Sequence, residues 1–137
     1  EIVYINGEDT EIMILGRNNF DINVFTNDEN DYKQRNERES KYLVQETKSE
    51  IIIKYEKYPK LKMFFLTAHR SKGLEAENVI VINLENKLVG FPNKISDDPV
   101  LSLVLTDVDT FSFAAERRLF YVALTRTKNT TYLIAPE

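Results

Sequence analysis

Apolar runs of strand length, each ended by turn-forming residues, fix what this chain can fold into. Glu11-Ile12-Met13-Ile14-Leu15-Gly16-Arg17, Ile51-Ile52-Ile53-Lys54-Tyr55, Met63-Phe64-Phe65-Leu66 and Val79-Ile80-Val81-Ile82-Asn83-Leu84 are four such runs. A strand with one wet face alternates apolar and polar side chains. Runs that are apolar at successive positions suit strands covered on both faces, as in parallel sheets flanked by helices. Gly16, Pro59 and the triplet Gly90-Phe91-Pro92 punctuate them as turns. Asn18, Asn19 and Asp21 follow the first run as loop or helix-cap residues. Residues 131–135 read as a last strand, and residues 99–105 as a short helix, with a strand as the alternative. Strands interleaved with helical segments predict an α/β domain with a largely parallel sheet. Residues 27–50 stand apart as a polar, charged excursion in which Tyr42-Leu43-Val44 supports one short surface element within 37–48.

The clearest helical pattern lies near the end, in Glu116-Arg117-Arg118-Leu119-Phe120-Tyr121-Val122-Ala123-Leu124-Thr125-Arg126. Leu119, Val122, Ala123 and Arg126 fall at i, i+3, i+4 and i+7, one face of a helix. Asp109, Thr110 and Ser112 are its N-cap candidates. The pattern puts Arg126 at the C-terminal end, pointed where the apolar face points. Two readings stay open there. Arg126 either complements the helix dipole or offers its planar donor fork to a phosphate. Arg17, just past the first strand, is open in the same way, as an edge arginine or as part of a functional loop.

With 137 residues the chain has the length of about one domain, so 1–137 is read as a single unit. A hydrophobic share of 42% is enough for a core, which argues against disorder. The chain has no cysteine, which excludes disulfides, thiolate metal sites and cysteine nucleophiles together. A single histidine, His69, leaves little for an imidazole metal site, so no metal is assigned. No apolar run reaches membrane-spanning length and Glu1-Ile2-Val3-Tyr4 is no signal peptide, so a cytoplasmic location is expected. The net charge is −4, which gives no support to autonomous nucleic-acid binding.

Two stretches go beyond pattern. Thr67-Ala68-His69-Arg70-Ser71-Lys72-Gly73-Leu74-Glu75 resembles motif V of the UvrD/Rep-type superfamily 1 DNA helicases, and Glu116 through Arg126 resembles their motif VI. They occur in the family's order, with a strand at 80–84 expected after motif V. Residues 12–18 resemble the strand-and-arginine segment called motif IVa. Gly90-Phe91-Pro92 followed by Asp97-Asp98-Pro99 is closest in style to helicase IV-like members. The resemblance covers residues 12–135.

The resemblance implies a RecA-like C-terminal domain, called 2A, which is an incomplete half of a two-domain motor. In that family ATP lies between two RecA-like domains and single-stranded DNA crosses their upper surface. Arg126 then corresponds to the arginine that reaches the γ-phosphate, the one catalytic assignment here. Glu75 corresponds to a ribose contact, and Gly73 with it belongs to the ATP-binding segment. Thr67 and His69 match positions near the DNA backbone, and Arg70 and Lys72 add local positive charge. A turn-forming role for Gly73 and a salt-bridging role for Arg117 and Arg118 are the plainer alternatives. The four glycines, Gly7, Gly16, Gly73 and Gly90, cannot build a Gly-x-x-x-x-Gly-Lys-Ser/Thr phosphate loop. ATP and Mg²⁺ are therefore expected to be held mainly by an N-terminal RecA-like domain of the same protein, the first expected partner. The family's motif IV arginine falls upstream of Glu1, and residues 27–50 stand where a large 2B insertion would lie. The function implied is the C-terminal motor domain of an ATP-dependent DNA helicase moving 3′ to 5′, inactive alone, its partners single-stranded and duplex DNA. The alternatives are a remodelling module associated with RNA polymerase, or the motor part of a helicase-nuclease.

Overall fold

The computed structural model describes residues 2–25, 42–47, 50–88, 90–94 and 113–135. Along the chain these form a short helix α1 (Ile2–Asn6), strand β1 (Glu11–Gly16), a 3-10 helix (Asn19–Val24), strands β2 (Tyr42–Glu46), β3 (Ile51–Tyr55), β4 (Lys62–Thr67) and β5 (Ala76–Val81), helix α2 (Ala114–Leu124) and strand β6 (Thr127–Leu133). One six-stranded sheet carries them in the order β2-β3-β4-β1-β5-β6. β1 pairs in parallel with β4 and β5, and β5 with β6, while β2, β3 and β4 pair antiparallel. The sheet is thus parallel from β4 through β1 and β5 to β6 and antiparallel from β4 to β2. With its helices this mixed sheet is an α/β fold, the class the sequence predicts.

β1 is the central strand, and its sequence shows why. Ile12 and Ile14 face one side of the sheet and Met13 and Leu15 the other, all at most 2% exposed. Met13 and Leu15 pack with Leu66, Val79, Val81, Phe91, Leu119 and Ala123 beneath α2. Ile12 and Ile14 pack with Ile22, Ile53, Met63 and Phe65 on the face covered by the 3-10 helix and by Ile2 and Val3 of α1. Burying one such side chain contributes about 1.5–3 kcal/mol, so a strand feeding two cores is the costliest element to disturb. Gly16 lets the 3-10 helix sit close, because a Cβ there would come within 2.7 Å of the Asp21 side chain. Asn18 caps that helix through a reciprocal box with Asp21.

The structure moves several expected boundaries. The strand expected at 79–84 runs from Ala76 to Val81 instead. Its polar start escaped the apolar pattern because Asn78 is fully buried, donating to the Thr10 hydroxyl at 3.0 Å, rather than exposed. Asn83, at φ 55, then turns the chain out of the sheet. The last strand begins at Thr127 rather than residue 131, since an edge strand pairs through its backbone and can be polar on its open side. The surface element at 42–46 is β2, which stacks Tyr42 on Tyr55 with ring centroids 4.8 Å apart. Phe113, at φ 58, occupies the N-cap of α2 without a side-chain cap. The candidates Asp109, Thr110 and Ser112, the element at 99–105 and Asp97-Asp98-Pro99 lie outside the described residues.

Candidate functional site

The parallel strands give the sheet two edges, and the candidate residues divide between them. At the C-terminal edge, Thr67 ends β4 beside Gly16, and the Ala68 N–H donates to the Gly16 carbonyl at 2.8 Å. Here β1 delivers Arg17, the loop after β4 delivers His69 and Arg70, and α2 begins. Open α/β sheets place functional loops at this edge. Thr67 is buried, and its hydroxyl accepts from the Arg70 N–H at 3.4 Å, so it shapes the turn from inside. His69, Arg70 and Lys72 are exposed. Ser71 is fully buried and donates to the Ala68 carbonyl at 2.8 Å, which holds the loop on the sheet.

Glu116, in the first turn of α2, ties this edge together. Arg17 donates to it from Nε at 3.1 and 3.0 Å and from Nη2 at 2.7 Å, and the Asn93 N–H adds a bond at 2.9 Å. The side chains of Arg17 and Glu116 are 17% and 13% exposed. Burial alone pushes the Glu116 carboxyl up, but hydrogen bonds from Arg17 and Asn93, with the positive charges of Arg17 and His69, outweigh it and hold its pKa below the usual carboxylate value. Arg17 is therefore a structural ion-pair partner as well as a strand-end arginine. Its partner Glu116 is 99 residues away, so no local pattern pairs the two.

At the opposite edge stand Gly73, Glu75 and Arg126. Arg126, expected at the C-terminal end of the helix, lies one residue past the C-cap, Thr125, because α2 ends at Leu124. The helix end accounts for all four of its last carbonyls. Tyr121 and Val122 accept from the Thr125 N–H, Ala123 from the Arg126 N–H at 3.4 Å, and Leu124 from the Thr131 hydroxyl at 3.2 Å. The Arg126 side chain folds into the same arrangement. Nε donates to the Val122 carbonyl at 2.9 Å, Nη1 to the Leu74 carbonyl at 3.3 Å and Nη2 to the Thr125 hydroxyl at 3.1 Å. The dipole reading of Arg126 thus has a direct observation behind it, and the guanidinium reaches outward as well.

The Ala76 N–H donates to the Arg126 carbonyl at 3.0 Å. The Leu74 carbonyl is bonded to the Arg126 guanidinium and the Ala76 N–H to the Arg126 carbonyl, so the backbone of Glu75, whose side chain is exposed, lies between two segments tied to Arg126. Gly73 has φ 85, and a Cβ there would meet nothing within 4 Å. Its glycine is explained by backbone conformation, with open space above it. An exposed carboxylate and a fixed guanidinium thus stand at adjacent strand starts, one able to accept from hydroxyls and the other to donate to anionic oxygens. The two edges are joined by α2, about 16 Å long at 1.5 Å per residue, with Glu116 at one end and Arg126 just past the other. The structure therefore brings Gly73, Glu75 and Arg126 together, and Thr67, His69 and Arg70 together, with Lys72 in the loop between. Among the described residues no group of three or more His, Asp or Glu is placed to hold a metal ion, and no helix is long and apolar enough to cross a membrane.

Comparisons with known proteins bear on this geometry. The family model described as the UvrD-like helicase C-terminal domain matches residues 14–137. DNA helicase IV of Escherichia coli (strain K12) is 38% identical over 78 residues, which cover 57% of this chain and 11% of that protein. No solved structure matches.

Proposed function

The chain belongs to the UvrD-like helicase C-terminal domain family, and from that premise we propose that it is the second lobe of an ATP-driven motor moving 3′ to 5′ on single-stranded DNA. The observation that carries this reading is the double link between the segment around Glu75 and Arg126, through the Leu74 carbonyl and the Ala76 N–H. It brings a carboxylate and a guanidinium to one edge, each suited to a different part of a nucleotide. Glu75 accepts from ribose hydroxyls, beside the open turn at Gly73. Arg126 faces the γ-phosphate, where a rigidly held fork stabilises negative charge spread over the transferring phosphoryl. The N-terminal lobe of the parent protein supplies the phosphate loop and holds Mg²⁺.

At the other edge the exposed His69 and Arg70, with Lys72 in the loop that follows, face the DNA backbone with imidazole and cationic donors suited to phosphate, while the buried Thr67 holds their loop from inside. Helix α2 links the two edges as one rigid body, so strand engagement at one end is mechanically tied to the guanidinium at the other.

Steady-state kinetics of the intact parent protein test the nucleotide assignment. A ribose contact persists in ground and transition states alike, so Glu75→Ala should raise KM for ATP about tenfold while lowering kcat less. An unchanged KM would remove Glu75 from the site.

A further inference from the structure

Within the reading just given, we propose that Thr125 is the positioning residue for the Arg126 guanidinium. Its hydroxyl accepts from Arg126 Nη2 at 3.1 Å and lies 3.1 Å from both the Tyr121 and the Val122 carbonyl oxygens, to one of which it donates. The hydroxyl therefore bridges the end of α2 and the guanidinium. An arginine has five N–H donors in one plane. Three of them are committed here, from Nε to Val122, from Nη1 to Leu74 and from Nη2 to Thr125. The three acceptors come from the helix end, the cap and the loop before β5, so they fix the plane of the group and not merely its position. One N–H remains on each terminal nitrogen. Those two donors are what the edge can present to phosphate oxygens, and Thr125 is the side-chain acceptor among the three that hold their common plane.

A plainer role for Thr125 is available from the same contacts, since a threonine hydroxyl bonded to i−4 and i−3 carbonyls commonly serves only its own helix. The two roles separate experimentally, because Thr125 is exposed and an isosteric change leaves both cores untouched. In the intact parent protein, Thr125→Val keeps the shape and deletes the hydroxyl, and Thr125→Ser keeps the hydroxyl. If Thr125 positions Arg126, Thr125→Val should lower DNA-stimulated kcat about tenfold, the effect of one lost hydrogen bond to a charged group, with KM for ATP within about twofold. Thr125→Ser should restore most of the rate, and Thr125→Ala should match Thr125→Val.

A double-mutant cycle then tests the route of the effect. On an Arg126→Ala background, Thr125→Val should cost nothing further. An equal loss on both backgrounds would overturn the inference while leaving Arg126 in its proposed role. A lower Tm with unchanged kcat would assign Thr125 to the helix end alone. If Arg126→Ala itself left turnover intact, the reading of the site would fail first, before Thr125 is considered.

Discussion

Removing the Glu116 carboxylate should destabilise the domain more than an ordinary surface charge would. Three contacts from Arg17 between 2.7 and 3.1 Å, and a fourth bond from the Asn93 N–H, converge on one carboxylate. An exposed ion pair contributes about 0–1 kcal/mol, whereas removing one partner of a fully buried pair costs about 3–5 kcal/mol. With side chains 17% and 13% exposed, this pair lies between those limits. Glu116→Ala should therefore cost about 2 kcal/mol at neutral pH, read as a Tm lower by about 6–8 °C for a domain of this size. Thermal and urea denaturation of the protein, at two salt concentrations, measure it. Because the pair is largely shielded, added salt should reduce the difference only partly.

The pH dependence has a definite sign. The folded-state pKa of Glu116 is lowered, so the ionised form favours folding. That contribution is fully present above the unfolded carboxylate pKa and is lost as pH falls through the lower folded value. The gap between wild type and Glu116→Ala should therefore narrow in strongly acidic buffer. Arg17→Ala should cost a similar amount, and the double variant less than the sum of the two. A Glu116→Ala protein within about 0.5 kcal/mol of wild type at neutral pH would refute the reasoning, because that is the range of a change at an indifferent surface site.

Two further outcomes follow from the geometry. Gly73→Ala should cost about 1–2 kcal/mol in denaturant melts, because φ 85 strains any residue with a Cβ although the space above it is open; an unchanged midpoint would mean that the turn relaxes. With a net charge of −4 and only Arg70 and Lys72 as its candidate DNA-facing cations, this chain alone should bind single-stranded DNA weakly and lose that binding steeply with salt, whereas nanomolar affinity in fluorescence anisotropy at physiological salt would show that a complete track lies within it.

The central strand and the covered sheet were legible because β1 and β4 announce burial on both faces through successive apolar residues. α2 was legible through the spacing of Leu119 and Ala123, both of which are buried. What escaped was polar and paired at a distance. Asn78 belongs in β5 because Thr10, 68 residues away, satisfies it, and no local pattern carries that information. The polar start of β6 is set by backbone pairing to β5, not by side-chain hydrophobicity. Of the candidate site, both motifs stood out as segments, yet the sequence could not separate its residues between two edges of a sheet. That division follows from strand direction, because β4 and β5 both run parallel to β1 and the segment joining them must cross from one edge to the other. The pairing of Glu116 with Arg17, and the use of Thr125 as a cap for both the helix and the guanidinium, are set by tertiary contacts that no local pattern carries. Their one sequence signal was an acidic residue in the first helical turn and a hydroxyl beside the motif's last arginine.

The most direct test of the account is the DNA-stimulated ATP turnover of the intact parent protein carrying Arg126→Ala. A guanidinium acting on the transferring phosphoryl predicts a fall in kcat of roughly 10³-fold or more, with nucleotide binding weakened far less. Arg126→Lys should recover little of it, since a point charge on a flexible stem does not reproduce a fork held at Val122, Leu74 and Thr125. Normal turnover in Arg126→Ala, accompanied by a lower Tm, would contradict the account and leave Arg126 as the C-terminal brace of α2.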